Sequence, residues 1–286
     1  MKPLVRISLV AGAAVVALTP AFADHSWGNY HWAIDGQRLD LVVNHSVTSQ
    51  WTPYVNEATA DWDESRKLSF SSADAATDDL SRRHCRPIRG QIRVCNQAYG
   101  QRTWIGIASI WLSGNHIVQG TTQLNDSYFD MPRYNTPAWR LAVTCQEIAH
   151  DFGLDHQDET FGNVNLGSCM DYSSNPAGGV YNGFDYGPSN ERPNDHDFEQ
   201  ISAIYSHDDG FTTTVGSAAT NFGVRQVGSA AANAAMSEPA GLSPAEWGRA
   251  IGTDGHGRPN EFVKELGPGL RRITHVTWTP DAKVTR

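Results

Sequence analysis

Residues 144–156 read TCQEIAHDFGLDH. On a helix Gln146 and His150, four residues apart, leave the same face one turn apart. Glu147 lies beside them, angled toward the same cleft. Gly153 can take a positive φ without steric cost, so the chain can turn sharply there and bring His156 back toward the same point. Two imidazoles, a third donor and an adjacent carboxylate are what water activation on zinc requires. Taken singly, each of these residues reads as an ordinary helix-face or surface residue. Their joint spacing makes them a candidate site.

The flanking sequence supplies a helix to carry it. Thr136 suits an N-cap, Pro137 the first helical position and Gly153 the stop, which predicts a helix over 136–152. Upstream, branched apolar residues predict strands at 39–47 and 67–72, and at 102–112 and 116–125 across a Ser-Gly-Asn turn. Between the first two, Trp51, Tyr54, Val55, Ala58 and Trp62 recur at helical spacing over 50–65. A polar, charged region holds Cys85 and Cys95. Downstream, a Gly-, Asn- and Ser-rich stretch leads to a final helix over 195–209, with Phe198, Ile201, Ile204 and Tyr205 on one face. Small residues over 210–242 then read as a linker or loosely packed segment. In the tail, 243–251 has helical spacing and 271–280 alternates like a strand.

The first 23 residues follow a different logic. Lys2 and Arg6 precede the apolar run LVAGAAVVAL and an Ala-Phe-Ala ending, the pattern of a secretory signal peptide cut after Ala23. The run falls short of the roughly 20 apolar residues that a spanning helix needs. The expected localisation is therefore secreted or periplasmic. In an oxidising compartment the four cysteines default to two disulfides. Three pairings are open, and Cys85 with Cys95 closes a short local loop, leaving Cys145 with Cys169. The formal charge is −9, and −11 once Lys2 and Arg6 are removed. With no basic run, the sequence argues against nucleic acid or an anionic membrane as partner.

QEIAHDFGLDH resembles the metzincin zinc-protease helix, H-E-x-x-H-x-x-G-x-x-H, at every fixed position but the first. SCMDY (168–172) looks like the Met-turn beneath the metal in that superfamily, and Met170 falls 14 residues after His156. Its Ser-x-Met-x-Tyr form is similar to the astacin and serralysin versions, and the last helix resembles that of the matrixin branch. The resemblance covers residues 35–209. It implies an α/β (α+β) zincin fold with a twisted mixed sheet, an active-site helix, the Met-turn and a C-terminal helix. It also implies one zinc ion held by His150 and His156, with Gln146 in the first ligand position. Glu147 would be the general base for metal-activated water, Tyr172 would steady the oxyanion and Met170 would support the site from below. The second disulfide, Cys145–Cys169, would staple the active helix to the Met-turn.

Gln146 leaves four arrangements open: ligation through its amide oxygen, a hydrogen bond to bound water, ligation by Glu147 instead, or no metal at all. The first is the expectation, since an amide keeps the site's charge although it binds zinc less tightly than imidazole. Asp126, Asp130, Asp155, Asp158 and Glu159 could feed a calcium site, but their scatter reads as surface. The chain thus divides into a signal peptide (1–23), a metallopeptidase domain (24–209), a linker (210–242) and a small extension (243–286). Its expected function is secreted, zinc-dependent hydrolysis of a peptide or protein substrate. The alternative is a weak or inactive pseudo-protease that binds peptides or partners.

Overall fold

The computed structural model describes residues 25–215 and 230–282. The expected signal peptide and residues 216–229 of the expected linker lie outside them. In chain order the elements are β1 (His31–Trp32), β2 (Leu39–Ser46), α1 (Thr52–Asp63), β3 (Leu68–Asp74), α2 (Asp79–His84) and β4 (Ile92–Gln97). There follow β5 (Trp104–Ser113), β6 (His116–Asn125), α3 (Asp126–Phe129), α4 (Pro137–His150), β7 (Val180–Tyr181), β8 (Phe184–Asp185) and α5 (Asp195–Ile204). The last are α6 (Ala230–Met236), α7 (Pro244–Trp247), β9 (Arg249–Thr253), β10 (Pro259–Gly267) and β11 (Leu270–Trp278).

The fold is mixed α/β. One sheet runs β3-β2-β4-β6-β5-β11-β10-β9, with β1 attached to β6. Its first half is parallel, because α1 carries the chain from β2 across to β3 and leaves the strands co-directional. From β5 onward every pair is antiparallel. Helices α1 and α4 pack together against this sheet. On α1 the predicted stripe is the packed face: Val55, Ala58 and Trp62 are fully buried, and Trp62 Nε1 donates to the Cys145 carbonyl at 3.1 Å.

Helix α4 is capped as its sequence predicts, with Thr136 Oγ1 accepting from Trp139 N at 3.2 Å. Unlike the half-exposed α1, it is buried from Ala138 to His150. Even Arg140 lies inside, donating to the Phe129 carbonyl at 3.0 Å and lying 4.6 Å from the Trp51 ring. Gly153 ends the helix at φ 95°, and a Cβ there would sit 2.2 Å from the Tyr30 carbonyl oxygen. Only glycine fits that crossing.

The element assignments read from the sequence differ from the structure around the first cysteine pair and in the tail. The charged region around the first cysteine pair is ordered as α2 and β4, because Asp78 caps α2 and β4 inserts between β2 and β6. In the tail, the helical spacing over 243–251 yields only α7, since Gly248 at φ 107° turns the chain into β9. The tail strands do not form a separate sheet. They extend the main one through β11 on β5, and with α6 and α7 they cover the far side of β5, including Trp104 and Trp111.

Both disulfides pair as the sequence suggests, Cys85–Cys95 and Cys145–Cys169. The second joins α4, one residue before Gln146, to the segment holding Met170. Closing a loop with a sequence separation of 24 should constrain the unfolded chain by about 3 kcal/mol. A Cys145→Ala/Cys169→Ala double variant should lose about that much unfolding free energy in urea titration. A loss below about 1 kcal/mol would contradict this role for the crosslink.

Candidate metal centre

Helix α4 lies on β5 and β6, and its side chains reach those of β11 beside β5. Four residues of helix advance about 6 Å, and two residues of strand advance about 6.6–6.8 Å. Residues 146 and 150 on the helix therefore match residues 277 and 275 on the strand. Gln146 Nε2 donates to Thr277 Oγ1 at 2.8 Å, and the His150 and His275 rings lie 4.2 Å apart, centroid to centroid. The turn at Gly153 brings His156 in from a third side, its ring 4.8 Å from His150 and 4.7 Å from His275.

The structure thus brings His150, His156 and His275 together, each with a ring nitrogen within 4.8 Å of the others, a group that could hold a metal ion. His275 is the residue the sequence reading missed. Gln146, the expected third donor, has its amide nitrogen on Thr277. Its short reach along the helix face meets the strand that the tail lays there, and that strand brings a histidine of its own. The sequence did carry a signal: His275 alternates in phase with Ile273 and Thr277 in a segment already read as a strand.

Burial and hydrogen bonding set the state of these rings. Burial holds His150 and His275 well below the ordinary imidazole range, with the neighbouring histidines adding to it. Burial takes His156 down to about 3. All three are therefore neutral near pH 7, the form that binds metals. His150 Nδ1–H donates to the Leu154 carbonyl at 2.7 Å, and His156 Nδ1–H donates to Glu159 at 3.0 Å. Those bonds leave the two Nε2 lone pairs facing each other at 3.2 Å. His275 keeps Nδ1 buried and without a hydrogen-bond partner, while its Nε2 lies 3.2 Å from the Asn260 amide.

Glu147 is fully buried, and neither carboxyl oxygen reaches a hydrogen-bond partner. Burial pushes its carboxyl up to about 8, opposed in part by the nearby Thr277 hydroxyl. It rests on β5 at Gly106, where a Cβ would come within 2.3 Å of its Oε1, so the strand must be bare there. The Tyr172 ring packs 4.3 Å from His156, and its hydroxyl is buried and unpartnered. Met170 is buried in the main core, and its carbonyl accepts from Gln157 N at 2.7 Å, one residue beyond His156. Trp27, near the start of the described chain, closes the other side, 5.5 Å from His150 and 5.9 Å from His275. Of the acids considered for calcium, Glu159 hydrogen-bonds His156, and Asp126 accepts from Trp51 Nε1 and Asn96 Nδ2. Each is engaged in local structure.

No protein-family model matches the chain, and no curated protein matches it. Among solved structures it is similar to myroilysin, at 15% identity and a TM-score of 0.35, over 64% of this chain and 98% of that one. A likeness of that order assigns neither family nor activity. Among the described residues no helix is long and apolar enough to cross a membrane.

The Gln146–Thr277 bond ties helix to strand inside this site. Thr277→Val keeps the shape but strands a buried amide, which should cost about 1–3 kcal/mol. Urea unfolding of the variant checks this, and a change under about 0.5 kcal/mol would mean the bond does not hold the two elements together.

Proposed function

We propose that the chain is an exported, zinc-dependent peptide hydrolase of metzincin type whose third imidazole comes from the tail. The ligand set is His150, His156 and His275, and Gln146 stands outside it. One observation carries this reading: the two Nε2 atoms face each other at 3.2 Å. Two nitrogens on one tetrahedral zinc, each about 2.0–2.1 Å from it, are about 3.3 Å apart. The unpartnered His275 Nδ1 supports the same donor set. Three neutral nitrogens suit a borderline cation such as zinc better than calcium.

When bound, zinc supplies Lewis acidity and brings the pKa of a water toward about 7. Glu147 is the proton carrier in this scheme. Its carboxylate takes the proton from the attacking water and returns it to the leaving amine. The free Tyr172 hydroxyl donates to the oxyanion as the carbonyl becomes tetrahedral. Met170 supports the loop beneath the rings. The expected signal peptide and the two disulfides support an oxidising compartment for this chemistry.

A second reading has an observation of its own. Glu147, His150 and His275 have no exposed surface, so no peptide bond reaches them in this conformation. Hydrolysis therefore requires the cover to open. A chain that stays closed would be a metal-bearing, non-catalytic module that meets its partners elsewhere.

Zinc affinity of the full chain separates His275 from Gln146. His275→Ala should weaken binding at the buried site by more than about tenfold, whereas Gln146→Ala should change it by less than about threefold. The reverse order would sink the proposed ligand set. Glu147→Gln should keep zinc and abolish any peptide hydrolysis seen with the wild-type chain. Absence of hydrolysis by the zinc-loaded wild type favours the closed module.

A further inference from the structure

A second group of donors, separate from the buried histidines, gathers where β1, β6 and the segment after α5 meet. His31 stands on β1, His116 opens β6, and His207 and Asp209 follow α5. His31 Nε2 is 3.1 Å from His207 Nε2, His207 Nε2 is 3.1 Å from Asp209 Oδ2, and His31 Nε2 is 3.6 Å from Asp209 Oδ2. Those three edges match the separations of donors sharing one tetrahedral cation, about 3.3 Å at zinc–nitrogen distances.

The donors are also oriented from behind. His31 Nδ1–H donates to the Asn29 carbonyl at 2.9 Å, which turns the Nε2 lone pair toward the cluster. Asp209 is fixed twice by backbone: its Oδ2 accepts from Ile34 N at 3.0 Å, and its own N donates to the Ile34 carbonyl at 2.7 Å. His116 Nε2 lies 3.2 Å from the other carboxylate oxygen, Oδ1, and holds that side. With Nδ1 of His31 donating, His207 can satisfy only one of its two close neighbours by a hydrogen bond. A shared cation satisfies both.

We infer that His31, His207 and Asp209 form a second binding site for a divalent transition metal of the zinc class, with His116 orienting the carboxylate. The site differs from the first in access. His207 is 40% exposed at its side chain, and a surface cleft of ≈ 540 Å³ lined by His31, His207, Asn29 and Tyr30 opens beside it. Metal can therefore enter the folded chain here. Its effect is mechanical: it joins the root of the N-terminal segment to the end of α5. That segment carries Trp27, which lies over His150 and His275 and is tied down by Trp27 N donating to the Gly153 carbonyl at 2.8 Å.

Equilibrium dialysis of the metal-stripped full chain against Zn²⁺, with bound metal counted by mass spectrometry, tests this. The wild type should bind two equivalents, His207→Ala one, and His275→Ala one. If the wild type binds one equivalent that His207→Ala loses and His275→Ala keeps, this site stands and the buried one falls. Two equivalents retained in His207→Ala, or a second equivalent bound only above about 1 mM, an affinity worth about 4 kcal/mol, would overturn the inference. A His31→Ala variant that binds like His207→Ala checks that the loss follows from a missing donor and not from one altered surface.

Discussion

The pairing of β11 with β5 is the constraint on which the rest depends. Its register runs from Leu270 opposite Ser113 to Trp278 opposite Trp104. That register puts Thr277 opposite Gly106 and His275 opposite Ala108, so each faces its counterpart on α4. A slip of one residue would turn both side chains to the other face of the sheet. The same pairing removes an edge strand that would otherwise be open to association. It also lets the tail bury Trp104, Trp111 and Val276 on the far side. The far-side clusters and the His275 side of the candidate centre thus rest on one set of backbone hydrogen bonds.

The cost of this arrangement is access. A third imidazole delivered by a strand of the sheet is held more rigidly than a side chain on a helix end. It also brings the strand itself over the site. Glu147 is left in a dry environment, and that burial raises its carboxyl. Opening by release of β11 would expose the packed aromatic cluster it covers. Movement of the N-terminal segment around Trp27 would uncover far less, and that segment is rooted at the second histidine cluster.

Much of the fold was legible because its signals are local. The apolar stripe of α1, the cap and proline that start α4, the glycine that ends it and the alternation in β5 and β6 each act within a few residues. The cysteine pairs were legible because spacing and compartment leave few alternatives. The histidines at 150 and 156 were legible because a helix turn and a tight bend fix their relation. What the sequence hid is long-range. Nothing local says that residues 270–278 add to β5, 157 positions earlier at the Leu270–Ser113 end, so His275 read as an unassigned strand residue. The hydrogen bond from Gln146 to Thr277 was hidden for the same reason, since the two are 131 positions apart. The charged stretch around Cys85 and Cys95 concealed β4 because its alternation is short and its neighbours are arginines.

The central claim is that the donor missing from position 146 is supplied by His275. The most direct measurement is anomalous diffraction at the zinc edge from crystals of the zinc-loaded full chain. The account predicts a zinc peak about 2.0–2.1 Å from ring nitrogens of His150, His156 and His275, with the Gln146 amide still on Thr277. A zinc peak coordinated by the Gln146 oxygen, or one that excludes His275, would contradict it.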